Sequence, residues 1–252
     1  MGRKRKYGVG YTAEHDTFGE YSVVDYVSDV DVTIKFKGTG FSYHTSIGCL
    51  KKNNVVDRYY PSLYGVGYIG CTFGSLPKDK GGYYCWSNMI SRCYNPEDNM
   101  YSCYGAVGAT VCDSWHNLQN FLIFYGENLP ETEGFQLDKD VLSEGNKVYS
   151  PETCVFIPYI LNAQFKSKVG GGSLPRGVYL NKKTLKYEAN LQVERKHIRL
   201  GSFSTQEEAS TCYRVAKKAY VDKLASSLLN KGLISERVFV AVLNHTFKEE
   251  TI

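Results

Sequence analysis

Arg176-Gly177-Val178-Tyr179-Leu180-Asn181-Lys182-Lys183-Thr184-Leu185-Lys186-Tyr187-Glu188-Ala189-Asn190-Leu191-Gln192-Val193 is the stretch whose pattern decides the architecture. Gly177 to Leu180 reads as a strand, and Asn181 to Thr184 has the composition of a turn. From Tyr187 strict alternation sets in. Tyr187, Ala189, Leu191 and Val193 fall on one side, and Glu188, Asn190 and Gln192 on the other. A period of two marks a strand with one buried face. A third strand is expected to put Ile198 and Leu200 on one face and His197 and Arg199 on the other. Ser204 followed three residues later by Glu207 predicts a capping box, and Ala209, Cys212, Tyr213, Ala216 and Tyr220 then recur at helical spacing. The expectation is a three-stranded antiparallel sheet packed on one helix over residues 174–228, with 229–252 as a C-terminal tail.

Charge is distributed unevenly around this stretch. Residues 169–229 hold eleven Lys and Arg against five Asp and Glu, a net +6, although the whole chain carries only +4. Residues 81–168 hold five against ten, a net −5. A basic segment is where a phosphate backbone is met, and an acidic one suits a cation site. The polar sheet side offers Arg, Asn and Gln, which hydrogen-bond purine edges bidentately, and a β-ribbon fits the major groove.

Arg176-Gly177-Val178, Lys186-Tyr187-Glu188-Ala189, Leu200-Gly201-Ser202-Phe203 and Glu207-Glu208-Ala209 leading to Tyr213 together resemble the plant ethylene-response-factor (Apetala-type) DNA-binding domain. That resemblance implies double-stranded DNA as the partner. It implies groove-facing positions at Arg176, Tyr179, Asn181, Asn190, Gln192, His197 and Arg199, with Lys183 in the adjoining turn. Several family arginines and tryptophans are replaced here by Tyr, Asn and Arg, so the plant target sequence is not carried over.

Working backwards, Lys168 to Ser173 (Lys-Val-Gly-Gly-Gly-Ser) reads as a flexible joint. Before it, Tyr84, Trp86, Met89 and Ile90 start an amphipathic helix broken by Asn95-Pro96. A second apolar-periodic stretch runs from Trp115 through Leu118, Phe121, Leu122 and Tyr125. Strands are expected around 136–142 and 154–157, then a short helix carrying Asn162. Leu137-Asp138-Lys139-Asp140, Tyr149-Ser150-Pro151-Glu152-Thr153-Cys154 and Phe156-Ile157-Pro158 with Asn162 resemble the HNH endonucleases of phages and mobile introns. Trp86, Met89, Arg92-Cys93-Tyr94-Asn95, Val111-Cys112 and Trp115 add to the likeness.

The resemblance implies a ββα-metal (HNH-like) module over 83–167, with Asp138 and Asn162 holding Mg²⁺, or Mn²⁺ as the alternative. Lys139 stands where that family has its general-base His. An ammonium cannot take a proton at neutral pH unless burial or a neighbouring cation lowers its basicity. Asp140 and His116 are the substitutes available as catalytic acceptors.

The first module, 1–75, reads as β-rich. Tyr21 to Tyr26, Val30 to Phe36 and Phe41 to Ile47 are strand candidates punctuated by Ser28-Asp29 and Lys37-Gly38-Thr39-Gly40. They suggest a small barrel or twisted sheet, and the Gly-rich 63–82 suggests a linker. The fold class expected for the whole is therefore α+β.

No run approaches the roughly 20 apolar residues that span a bilayer, and no apolar stretch follows the basic start, Arg3 to Lys6. Eight cysteines with no secretory signal point to reduced thiols in a cytoplasm rather than to disulfides, and the likeness to phage and intron endonucleases implies that of a bacterial or phage-infected cell. Cys85, Cys93, Cys103, Cys112 and Cys154 are too loosely spaced for a structural Zn²⁺ to be expected. The function read from the sequence is a DNA-binding HNH-type endonuclease. The rivals are a regulator on the same scaffold that does not cut, and, from the many aromatics, an RNA-binding protein.

Overall fold

The computed structural model describes residues 6–70, 80–165, 174–193 and 196–247. In chain order the elements begin with β1 (Thr12–His15), β2 (Gly19–Ser28), β3 (Asp31–Phe36), β4 (Ser42–Thr45), α1 (Ile47–Lys51) and α2 (Lys80–Tyr94). β5 (Thr110–Val111), α3 (Asp113–His116), α4 (Leu118–Asn128), β6 (Phe135–Asp138), β7 (Val148–Tyr149), β8 (Val155–Pro158) and α5 (Tyr159–Asn162) follow. The chain closes with β9 (Val178–Asn181), β10 (Lys186–Val193), β11 (Lys196–Phe203), α6 (Gln206–Asn230) and α7 (Glu236–Asn244). These form two compact units: Met1–Glu127 with Val148–Ser150, and Asn128–Lys147 with Pro151–Ile252. The segment 83–167 thus contributes to both units.

In the first unit β1 to β4 form an antiparallel meander in the order β1-β2-β3-β4. Tyr21, Val23, Val32, Ile34 and Phe36 alternate inward and are buried against Phe41, Ile47 and Leu50. Burying each such side chain contributes about 1.5–3 kcal/mol, so this sheet has a core of its own. The sheet is open rather than a barrel. The strand Thr12–His15 was not expected, because its half-exposed Thr-Ala-Glu-His carries no apolar alternation.

The 63–82 segment was expected to be a linker. Gly67 and Tyr68 make bridges to Leu63 and Asn117, Lys80 to Gly82 already belong to α2, and 71–79 lie outside the described residues. Gly70, at φ +70°, lies so close to the Asn117 side chain that an added Cβ would come within 1.9 Å of it. The rest of the unit gathers around Trp86, Met89, Ile90, Trp115, Leu118 and Phe121, all buried. The Trp86 indole N–H donates to the Trp115 carbonyl at 2.7 Å, as a buried indole must.

In the second unit α6 is the backbone of the arrangement. Its first half covers the antiparallel sheet β11-β10-β9, with Ala209 and Tyr213 against Val178, Ala189 and Leu191. Gly177 has φ +75°, and an added Cβ there would meet the Tyr213 ring at 2.2 Å. Only glycine meets both conditions, which gives the Arg-Gly-Val stretch its physical meaning. The second half of α6 buries Val221, Ala225 and Leu228 against Ile157, Leu161, Val238 and Val242. One helix of 25 residues therefore serves two clusters, one with the sheet and one with the β6–β8 pair, α5 and α7.

Two sequence expectations are corrected here. The capping box sits one residue later than expected: Thr205 is the N-cap and Glu208 reaches back to the Thr205 N–H. Ser204-x-x-Glu207 and Thr205-x-x-Glu208 overlap, and only the second register satisfies both orphan donors. Residues 229–252 were expected as a tail. Ser235 caps α7, and Val238 and Val242 close the core instead. The joint expected over 168–173 lies outside the described residues. No described helix is long and apolar enough to cross a membrane.

Candidate nucleic-acid interface and metal site

The strand register fixes what the open sheet face presents. Glu188 lies opposite Tyr179 and Ser202, Asn190 opposite Arg199, and Gln192 opposite His197. Cross-strand partners share a face, so Tyr179, Asn181, Glu188, Asn190, Gln192, His197 and Arg199 stand together, away from α6. A bulge between Ala189 and Asn190, where Leu200 is the extra residue, preserves this alignment. Tyr179, Gln192, His197 and Arg199 are exposed. The side chains of Tyr179, Asn190, Gln192 and His197 make no hydrogen bond to another described residue.

Other members of the expected set are engaged within the protein. Asn181 Oδ1 accepts from the Lys183 and Thr184 N–H groups, and its Nδ2 donates to Glu188 at 2.9 Å. Its amide is spent on the turn. Arg199 Nη2 donates to Glu188 Oε1 at 3.2 Å and to Ser202 Oγ at 2.8 Å. Glu188 thus ties Asn181 and Arg199 together at the centre of the face. Lys183 is exposed on the turn. Arg176, expected on the same face, lines a cavity on the α6 side instead.

The expected metal pair stands on the β6–β8 pair and α5. Gln136 and Asp138 are two apart on β6 and so project to the same side. Asn162 Nδ2 donates to Gln136 Oε1 at 3.0 Å, which brings Asn162 to that side. Asp138 Oδ1 accepts the N–H groups of Asp140 (2.9 Å) and Val141 (2.7 Å), closing the turn after the strand. Burial pushes the Asp138 carboxyl above its ordinary value, although those two N–H groups favour the charged form.

Lys139, in the turn just after β6, is buried. Its ammonium donates to Asp140 Oδ1 and to the Asn146 carbonyl, each at 2.6 Å, while Asn146 Nδ2 returns a bond to the Lys139 carbonyl. An ammonium committed in this way has no lone pair to offer, so Lys139 acts as a loop clasp. His116 lies in the first unit. Its Nε2 is 3.1 Å from the Val111 carbonyl and its ring meets Tyr94 edge-on, which fixes α3 against α2 and β5.

No family model, curated protein or solved structure matches this chain.

Among the described residues no three His, Cys, Asp or Glu side chains gather as a metal cluster. Asp138 Oδ2 and Asn162 Oδ1 accept no hydrogen bond from another described residue. One carboxylate and one amide oxygen are ligands suited to a hard divalent cation, which keeps several waters when the protein supplies few donors. The donor chemistry fits Mg²⁺ or Mn²⁺.

Sequence reading did not find Ser210, Arg214, Lys217 and Gln164, which line the cavity with Arg176. The signal was present, since 210, 214 and 217 recur at helical spacing beside the apolar 209, 213 and 216. A polar stripe of that kind is ordinarily a solvated face.

Proposed function

We propose that this protein binds double-stranded DNA through the open face of β9, β10 and β11 and hydrolyses it, with a divalent cation, at the β6–α5 site. The observation that carries the binding half is the run of Tyr179, Asn190, Gln192, His197 and Arg199 on one unpacked face. Their amide, imidazole and guanidinium groups match base edges and phosphates. The surrounding segment is basic, so attraction to the duplex falls with salt. The shared helix α6 puts the sheet and the β6–α5 site in one unit.

In the cleavage half, Asp138 and Asn162 hold the cation. A bound Mg²⁺ or Mn²⁺ supplies Lewis-acid stabilisation of charge on the phosphodiester. Asp138 is oriented by two backbone N–H groups, and Asn162 by Gln136. Asp140, whose carboxylate is held by Lys139, is the acceptor next to the site.

One observation favours a second reading. The Lys139 clasp fills the general-base position with a committed donor, so a regulator that binds without cutting fits the same face. A plasmid-nicking assay with Mg²⁺ and Mn²⁺ separates the two. Asp138→Asn keeps an acceptor for the turn and removes the carboxylate. Nicking by the wild type that Asp138→Asn abolishes supports the nuclease. Absence of nicking under either metal, by a protein that still binds duplex, supports the regulator. Failure to bind duplex at low salt defeats both.

A further inference from the structure

A cavity of about 350 Å³ lies within the second unit, beside α6. Ser210, Tyr213, Arg214 and Lys217 line it from four positions on one face of that helix, and Arg176 lines it from the start of the sheet. Lys217 is 5% exposed. Its ammonium donates to Gln164 Oε1 at 2.5 Å and lies 6.0 Å from the Phe247 ring centroid. Neither partner is an anion. An ammonium carries three donors, and a buried charge is costly unless it is paired. The charge that acts on Lys217 is the Arg176 guanidinium, which repels it.

No carboxylate of the cavity acts on Lys217 itself. Asp140 is bonded to Lys139 at 2.6 Å, and Glu144 lies 3.9 Å from His245 Nδ1. Ser210 is 7% exposed, and its hydroxyl makes no hydrogen bond to another described residue. Positive charge and an unengaged hydroxyl donor therefore meet in one recess.

We propose that this cavity is a binding site for a phosphate group, held by the Lys217 ammonium, the Arg176 guanidinium and the Ser210 hydroxyl. A tetrahedral oxyanion accepts from an ammonium, a planar guanidinium fork and a hydroxyl at once. It also brings a negative charge to the buried Lys217 ammonium, whose hydrogen-bond partner Gln164 is neutral. The titratable groups around the site are Asp140, Glu144, Arg176, Tyr213, Arg214 and His245. The phosphate comes either from a free small molecule or from a nucleic-acid backbone, and the site chemistry is the same for both.

The probe is inorganic phosphate, then pyrophosphate, titrated calorimetrically into the full chain at fixed ionic strength, with chloride as the control. Binding in the millimolar range or tighter is expected. Lys217→Met, which keeps a long apolar stem in the buried position, is expected to weaken binding by at least about tenfold with an unchanged circular dichroism spectrum. Ser210→Ala is expected to weaken it roughly three- to tenfold.

Duplex DNA distinguishes the sources. If the phosphate is a backbone one, pyrophosphate competes with duplex and Lys217→Met weakens duplex binding. If it is a free anion, duplex binding is unchanged in that variant. Absence of phosphate binding up to about 10 mM, or equal binding by Lys217→Met, overturns the proposal. Arg199→Ala alters only the open sheet face, so its effect on duplex binding reports on the proposed function independently of this site.

Discussion

The two ends of α6 support surfaces of opposite character. At its N-terminal half, the sheet β11-β10-β9 turns Gln192, His197 and Tyr179 outward, with no side-chain hydrogen bond to another described residue, and among the described residues Arg199 is held by Glu188 and Ser202 on its own face. At its C-terminal half, the β6–β8 pair and α5 turn their ionisable groups inward. Lys139 is buried in an ion pair and Asp138 spends one oxygen on two backbone N–H groups. A surface that meets an external partner keeps donors unspent. A turn that must hold its own shape consumes them. The comparison teaches that similar polar residues have opposite uses according to whether their hydrogen bonds are already made.

The largest expected effect tests whether the sheet depends on α6. Gly177→Ala would drive a Cβ into the Tyr213 ring at a positive φ. Chemical denaturation should show a loss of roughly 2–4 kcal/mol. A loss below about 0.5 kcal/mol would mean that the sheet does not need this close approach.

The second effect tests how far the hairpin spends its polar groups on itself. Asp138→Ala should cost about 1–2 kcal/mol because two backbone N–H groups lose their acceptor. Asp138→Asn should cost under about 0.5 kcal/mol, since an amide oxygen still accepts and a buried charge is gone. Equal costs for the two variants would show that the carboxylate has another structural role.

Arg199→Ala addresses the other surface. It should weaken duplex binding by about tenfold at moderate salt, read by fluorescence anisotropy, while stability moves by less than about 0.5 kcal/mol. Glu188→Gln should act in the opposite direction, tightening duplex binding roughly two- to threefold by releasing Arg199. Unchanged affinity in both variants would show that the open face is not the contact surface.

The smallest effect is a pH dependence at the cavity. Burial and the Arg176 charge hold Lys217 down at about 8, against an ordinary 10.5. Below pH 8 the amine is charged in both folded and unfolded chains, and the penalty is fully present. Between about 8 and 10.5 the unfolded chain keeps a proton that the folded chain has released, so stability rises with pH. Relative to Lys217→Met, the wild type should gain about 1 kcal/mol across that window in urea titrations, after allowance for water in the cavity. Parallel stability curves for the two proteins would remove Lys217 as the source.

Much of the second unit was legible in the chain. Alternation over 187–193 gave the central strand with its correct faces, and the helical spacing from Ala209 to Tyr220 gave the element that covers it. The α2 helix ended at Tyr94, just before Asn95-Pro96, as the pattern predicted. What escaped was local geometry without a periodic signal. The short strand at Thr12–His15 and the one-residue shift of the cap to Thr205 belong to this class, whereas α7, missed as a tail, does carry a helical signal in Ser235 followed by Val238 and Val242. The engagement of Asn181 and the placement of Arg176 escaped as well, because a side chain's partner depends on atoms distant in sequence.

By itself, then, the sequence determined the α+β class, the sheet pattern, the basic stretch around it and the polar residue types along its open face. These are set by periodicity and composition, which are local. Only the tertiary structure decided that α6 is shared by two clusters, that Lys139 is a clasp, and that Lys217, Arg176 and Ser210 converge on one cavity. Those outcomes depend on which segments pack on one helix, and no spacing along the chain encodes a distance across it.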